Sequence, residues 1–404
     1  MPPVQSIIQS LEGTWWIGMV ALGVSLVATP IIRSIAYRAK IVDRPDDLLK
    51  PHGRPVAYMG GLAMCAGLLS GMACYVATMP GLHDWWHGIG AAFGKGDIEA
   101  LQANPLLKAI AIATACIIVT VVGLLDDLFD LKPRQKVCGQ VAAALALLLG
   151  GVGSGMAGML LGLVGLDPPT WVLVPVRGVM LIVLVICTCN ATNLLDGLDG
   201  LCGGVSGIIS LGFLGLAVWL AGFGRFTDTD QLRVGLCFAM AGAVLGFLPY
   251  NVPPASIFMG DAGSMLLGVF VASMMALFGK EGTARWFLAA CVVYALPIFD
   301  TALAVVRRVL AGRSIFTGDR SHLYDQLVDR GMTVKQVVVL FYILATLAAV
   351  LGVVAAVTLR LRYAIVLYAV LFAAAWAVFH KLGMIRPAGP HGEASRPRET
   401  TGDE

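Results

Sequence analysis

Charge is what this chain has least of. Of its 404 residues, 13% are charged and 58% hydrophobic, about half the charged share of an ordinary soluble domain. That excludes a water-soluble globular fold of this length. The net charge of +3 is small and the basic residues are scattered over several loops, so nucleic acid is not an expected partner. No two of the nine cysteines stand at zinc-site spacing, and an odd number argues against a disulfide framework. They read as small packing residues inside apolar runs. No basic stretch or small-residue cleavage site accompanies the first apolar run, "TWWIGMVALGVSLVATPIIRSI". That run is expected to be a retained span, not a signal peptide.

What the chain has is long apolar runs, each near the roughly 20 residues that a bilayer-crossing helix needs. They predict an all-α polytopic membrane protein of about eleven transmembrane helices, with ten as the alternative count. The expected spans are 14–36, 57–79, 106–125, 137–157, 172–191, 201–222, 232–249, 263–279, 285–307, 335–357 and 363–380. The Gly-rich stretch 150–175, ending in "LDPPTWVLVP", could hold an extra re-entrant piece or a hairpin. Residues 1–383 are expected to form one transmembrane domain. Residues 384–404 are polar and Pro-rich, and are expected to be a disordered cytoplasmic tail.

Eleven spans send alternate loops to opposite sides. One side, holding 37–56, 126–136, 192–200, 250–262, 308–334 and the tail, carries sixteen Lys and Arg, against five on the other. The positive-inside rule makes the richer side cytoplasmic, which puts the N-terminus outside and the C-terminus inside. Trp15, Trp16, Trp85, Trp86, Trp171 and Trp286 then fall near the outer span ends, where an aromatic belt belongs.

The acidic motifs fall on the cytoplasmic side too, although the orientation came from Lys and Arg alone. "GLLDDLFDL" carries Asp126, Asp127 and Asp130; "NATNLLDGLDG" carries Asn190, Asn193, Asp196 and Asp199. "PYNVPPASIFMGDAGS" adds Asn251 and Asp261, and "GRSIFTGDRSHLYDQLVDRG" adds Arg313, Asp319, Arg320, His322 and Asp325. Carboxylates at a membrane edge are costly unless solvated, paired or metal-bound. Oxygen-only donors suit Mg²⁺, with Mn²⁺ as a substitute. Beside Arg and His, they point to phosphoryl chemistry on a diphosphate. Blander readings stand beside these. Asp126 and Asp127 could be a hydrophilic stop, "DGLDG" a polar turn, Asp261 an N-cap, His322 an ordinary loop histidine, and Arg313 and Arg320 positive-inside anchors. His83 and His87 lie on the outer side and belong to none of these motifs.

Five blocks in order, "KPHGRPVAYMGG", "GLLDDLFDLKPRQK", "NATNLLDGLDGL", "NVPPASIFMGDAGS" and "GRSIFTGDRSHLYDQL", resemble the polyprenyl-phosphate N-acetylhexosamine-1-phosphate transferases over almost the whole chain. The resemblance implies a Mg²⁺-dependent transfer of a sugar-1-phosphate, GlcNAc-1-phosphate first among the options. The donor would be a UDP-N-acetylhexosamine and the acceptor undecaprenyl phosphate, at the cytoplasmic face of a bacterial inner membrane. The products would be undecaprenyl-diphospho-sugar and UMP, in the first membrane step of a cell-surface polysaccharide pathway. Carried over by position, one of the acidic pair, Asp126 ahead of Asp127, would deprotonate or orient the lipid phosphate, and the other would help hold the metal or phosphate. Asp261 would be the main Mg²⁺ ligand, and Asn193 a metal or diphosphate contact. Asp196 and Asp199 would serve the nucleotide, with Asp199 a candidate uracil contact, Phe258 the ring stacked on uracil and Asn251 a nucleotide-site amide. Lys50 and His52 match a basic approach to the second span. His322, with Arg320 before it, matches the start of the family's His-rich motif. Here that motif reads "HLYD", and Ala57 stands where a proline is common. A homodimer is kept among the expected partners.

Rivals from other classes are a multi-span secondary transporter with acidic sites and a CDP-alcohol-type phosphotransferase. Transporter sites usually lie near the midplane of inverted repeats, and the acids here lie at one interface. The CDP-alcohol type needs a longer acid motif than "DGLDGLCGG" supplies.

Overall fold

The computed structural model describes residues 11, 13–43, 55–79, 82–223, 227–279, 284–312 and 322–384. Among them are sixteen helices and one two-residue ladder. In chain order these are α1 (Trp15–Arg38), β1 (Val42–Asp43), β2 (Val56–Ala57), α2 (Gly60–Thr78), α3 (Leu82–Lys95) and α4 (Ile98–Ala103). There follow α5 (Pro105–Phe129), α6 (Pro133–Leu149), α7 (Met156–Leu163), α8 (Thr170–Leu195), α9 (Leu201–Gly222) and α10 (Asp228–Asn251). The rest are α11 (Gly260–Phe278), α12 (Ala284–Val293), α13 (Ala295–Leu310), α14 (Leu323–Asp329), α15 (Val334–Thr358) and α16 (Leu361–Lys381).

The all-α, multi-pass expectation holds. Nine of the described helices are long and apolar enough to cross a membrane, and the bent pair α12–α13 makes a tenth. The expected span at 137–157 is the exception. Its helix, α6, has 17 residues, about 26 Å of rise against a hydrocarbon core of about 30 Å. It still runs antiparallel along α5, because Gly150 at its end lies against Leu107 and Ala111 near the start of α5. The Gly-rich stretch after it folds into the short helix α7. Two further helices, α3 and α4, occupy a connection between spans for which the hydropathy pattern predicts none.

The span expected at 285–307 is broken, with α12 and α13 meeting at 68°. Pro297, in the first turn of α13, supplies a reason. It has no N–H to give the carbonyl of Val293, and its ring crowds that carbonyl, which favours a break between α12 and α13.

At the centre lies α11, in which every residue except Asp261 is buried. Helices α2, α5 and α8 pack around it, α10 packs against α1, α2 and α9, and α15 lies outside α9. Lipid tails are as apolar as leucine, so close packing holds such a bundle together. Gly123 shows this at the α5–α11 crossing: a Cβ there would collide with the backbone of Asp261 and Ala262. Helix α16 is peripheral, with only Ala364 buried.

Candidate active site

The last turn of α5 and the first turn of α6 form a tight hairpin. Asp130 caps α5 in the left-handed region, φ 51°, and Pro133 opens α6 with φ already set for a helix. Gln135 Oε1 accepts from the Lys132 N–H at 2.8 Å and fixes the turn. This brings Lys136, one turn into α6, back over Asp126. Its ammonium lies 2.6 Å from Asp126 Oδ2 and 2.7 Å from Asp261 Oδ2. Two carboxylates separated by 135 positions in the chain are thus aimed at one cation.

Asp127 acts differently. Its Oδ1 accepts from the Asp261 N–H at 2.9 Å and its Oδ2 from the Ala262 N–H at 3.3 Å. A side chain of α5 therefore caps the N-terminus of α11, where unpaired N–H groups and the helix dipole favour a negative charge. The approach is close enough to demand glycine at 260. That residue has φ +67°, and a Cβ on it would collide with the Asp127 carboxylate, 2.9 Å from its Cγ. Asn193, near the end of α8, donates to Asp261 Oδ1 at 2.7 Å and to Ser264 Oγ at 3.0 Å. Asp261 is thus held from three sides, by α5–α6, by α8 and through its own backbone.

The Gly-flanked acids lie on the other wall. Asp199 Oδ2 accepts from the Ala255 N–H at 2.8 Å. Asn251 is buried, with both ends of its amide engaged: Oδ1 accepts from the Gly200 N–H and Nδ2 donates to the Ile257 carbonyl, each at 3.1 Å. Together they bind the turn 196–200 to the loop 252–258. That loop is also tied to β2, since Phe258 N–H donates to the Ala57 carbonyl at 2.8 Å. Tyr58 and Phe258 pack with ring centroids 5.9 Å apart.

These groups line one cavity of about 1320 Å³, more than one drug-sized ligand fills. Asp126, Asp127, Asn193, Asp196, Asp199, Asn251, Phe258 and Asp261 all border it, so three of the four acidic motifs converge. Seven aspartates are in its wall, counting Asp43 and Asp130, with Lys335 from α15 as the one lining cation among the described residues. Burial, then the facing carboxylates of Asp261, Asp127 and Asp199, hold the Asp196 carboxyl well above its ordinary range. Burial and neighbouring Asp43 likewise push the Tyr58 phenol up.

His322 does not border this cavity. It is buried, and its Nδ1 lies 2.8 Å from Asp300 Oδ2 on α13, while Asp300 Oδ1 accepts from the Leu323 N–H at 2.7 Å. Its ring stacks on Tyr324, at 5.5 Å and 8°. The Tyr324 hydroxyl donates to the Leu194 carbonyl at 3.1 Å, so the histidine touches the site through that tyrosine. Lys50, His52 and Arg320 lie outside the described residues, as do Arg313, Asp319 and the tail 385–404.

Several neighbours of the site go beyond the residues singled out from sequence: Lys136, Tyr58, Asp43, Lys335 and Asp300. Asp300 had a readable signal, an acid inside an apolar run. Lys136 had a weaker one, a lysine one turn beyond a proline-opened helix.

The donor set fits a hard divalent cation. Asp126 and Asp261 converge on one positive point, all nearby donors are oxygen or amide, and among the described residues no three Asp, Glu, His or Cys side chains converge to hold an ion unaided. Mg²⁺ is typically held by one or two carboxylates, with water and substrate phosphates completing its shell.

Residues 109–279 match the model of glycosyl transferase family 4. A decaprenyl-phosphate N-acetylglucosaminephosphotransferase of Mycobacterium leprae is 32% identical over 344 residues, covering 81% of this chain and 80% of the relative. A probable undecaprenyl-phosphate N-acetylglucosaminyl 1-phosphate transferase of Bacillus subtilis is 28% identical, covering 83% of each. A phospho-N-acetylmuramoyl-pentapeptide-transferase of a Mycobacterium species is 31% identical, covering 82% of this chain and 94% of the relative. The chain belongs to this family of polyprenyl-phosphate sugar-1-phosphate transferases.

Proposed function

We propose that this family member transfers N-acetylhexosamine-1-phosphate, in the first instance GlcNAc-1-phosphate, from a UDP-sugar to undecaprenyl phosphate. The products are undecaprenyl-diphospho-sugar and UMP, and the step opens a cell-surface polysaccharide pathway at the cytoplasmic face of a bacterial inner membrane. The observation that carries the reading is the convergence of Asp126, Asp127, Asn193 and Asp261 at one end of the bundle, in a cavity with room for a nucleotide sugar beside a lipid phosphate.

In this reading Asp261 holds Mg²⁺ and Asn193 orients its carboxylate. The ion's contribution, when bound, is to neutralise charge on the donor diphosphate and on departing UMP. Asp127 is committed to two N–H groups of α11, so orienting the acceptor falls to Asp126, which takes the remaining proton of the lipid phosphate. The freed oxygen attacks the phosphorus that carries the sugar. The new P–O bond forms as the bond to the UMP oxygen breaks, and no covalent enzyme intermediate is needed. Lys136, already between Asp126 and Asp261, is placed to follow the negative charge as it moves. Phe258 offers a ring face to the uracil, with Asp199 at the same wall.

The test uses membranes containing the protein and a panel of labelled UDP-N-acetylhexosamines, scored for label in butanol extracts. Divalent-dependent labelled lipid is expected, lost on chelation and in Asp261→Ala. Correctly inserted protein that labels no lipid with any of these donors refutes the reading. A phosphoryl-enzyme trapped in single turnover without acceptor refutes the direct attack.

A further inference from the structure

Helix α3 stands at the end of the bundle away from the acid cavity and presents His83, Asp84 and His87 to solvent. Residues four apart share a helix face, and here the two rings meet. His83 Nε2 lies 3.0 Å from His87 Nε2, with ring centroids 4.3 Å apart and planes at 60°. Asp84 Oδ1 is 3.8 Å from His83 Nδ1, the ring nitrogen that points away from His87. The helix is anchored: Asn104 Nδ2 donates to the Trp85 carbonyl at 3.1 Å, while Asn104 Oδ1 accepts from Leu106 and Leu107 at the head of α5.

We propose that His83 and His87 form a solvent-facing chelate for a divalent transition-metal ion, Cu²⁺ or Ni²⁺ ahead of Zn²⁺. Two imidazole nitrogens 3.0 Å apart, each about 2.05 Å from one ion, subtend about 94° there. That is the right angle of a square-planar or octahedral centre; a tetrahedral ion needs its ligands about 3.3 Å apart at the same bond length. The Asp84 carboxylate lies 3.8 Å from the non-ligating nitrogen of His83, beyond hydrogen-bond distance, and adds a negative charge beside the pair. No third His, Cys, Asp or Glu joins the pair among the described residues, so water completes the shell and the ion stays exchangeable. The site is separate from the acid cavity. Asn104 and Asp126 bracket α5 and lie about 33 Å apart along it, at 1.5 Å per residue.

The experiment uses the untagged full-length protein in detergent, loaded with Cu²⁺ and read by electron paramagnetic resonance, with Ni²⁺ titrated calorimetrically. One equivalent with hyperfine coupling to two equatorial nitrogens is expected, a signature that a carboxylate site does not give. His83→Ala and His87→Ala should each weaken binding by about 100-fold, because the second imidazole otherwise binds intramolecularly. Sugar transfer by the variants, assayed with Mg²⁺ and without Cu²⁺ or Ni²⁺, should be unchanged, which shows that they fold. A two-nitrogen signal surviving in the His83→Ala/His87→Ala double variant overturns the proposal. So does wild-type affinity no higher than that of the double variant.

Discussion

Gly260→Ala isolates how α11 is held. Gly260 has φ +67°, a conformation that costs an L-residue about 1–2 kcal/mol. The added Cβ would also drive the Asp127 carboxylate out of its seat. Asp127 then loses its hydrogen bonds to Asp261 and Ala262 N–H, and a bond to a charged group is worth about 1.5–3 kcal/mol. Strain and two lost bonds come to about 4–8 kcal/mol, and water at the cavity edge, by partly satisfying the freed groups, pulls the figure toward the lower end. If that lower value is spent on displacing Asp261 alone, kcat falls by about 1000-fold. The assay is initial-rate transfer of labelled sugar phosphate at saturating substrates, normalised to inserted protein. Gly383→Ala is the control: φ is +68° and a Cβ there meets nothing within 4 Å, so it should carry the strain without the loss of rate. A double-mutant cycle with Asp127→Ala, read in melting temperature, separates the two parts. In that background the Gly260→Ala penalty should shrink to strain alone. A Gly260→Ala enzyme keeping a third of the wild-type rate, or a penalty unchanged by Asp127→Ala, would refute the reasoning.

Lys136→Met leaves Asp126 and Asp261 facing each other without their shared cation. Transfer should slow by at least about 10-fold; on the proposed Mg²⁺ role of Asp261, the half-saturating Mg²⁺ concentration should fall, because the ammonium no longer competes for it, and a higher half-saturation contradicts this. Burial and three facing carboxylates raise the Asp196 carboxyl in the fold. The folded protein therefore binds more protons than the unfolded chain, and stability falls as pH rises above the ordinary carboxylate range. Asp196→Asn, melted without divalent cation, should exceed wild type at pH 7.5 and lose that advantage toward pH 4; a constant difference counts against it. Asp300→Ala strands the His322 ring nitrogen and the Leu323 N–H in a buried place, at about 1–3 kcal/mol each. Asp300→Asn keeps one acceptor and should melt between the two; an Asp300→Ala melting point equal to wild type removes the pair from the folding argument.

The bundle was legible because hydropathy fixes how often a chain crosses and parity fixes where its loops emerge. Asp126 and Asp261 lie 135 positions apart, yet alternate loops must share a side, so the acidic motifs could be gathered before any coordinates. The departures have local causes. Pro297 favours a break in one span because it cannot bond to Val293. Helix α6 stops at Leu149 because Gly150 and Gly151 follow, and Gly151 takes positive φ. Helix α3 was missed because a helix lying outside the spans leaves no long apolar run for hydropathy to find.

That Asp126, Asp127, Asp196, Asp199 and Asp261 would gather at one end was readable, and how they pair was not. Hydropathy and charge say which end of a helix a residue occupies, but an ion pair needs direction to within a few tenths of an ångström. Lys136 counted as one of sixteen basic residues marking a side. The left-handed Asp130 and the proline-set start of α6 turn it back onto Asp126 and Asp261. Asp126 and Asp127 are adjacent in sequence and look interchangeable there. On a helix, neighbours point about 100° apart, so one meets a lysine across a hairpin and the other caps the next helix. The acid pair therefore joins two functions: Asp126 shares a cation with Asp261, and Asp127 sets the backbone from which Asp261 projects. Asp127→Asn should accordingly disturb the position of Asp261 as much as any charge in the cavity, because an amide nitrogen cannot accept the N–H that a carboxylate oxygen does.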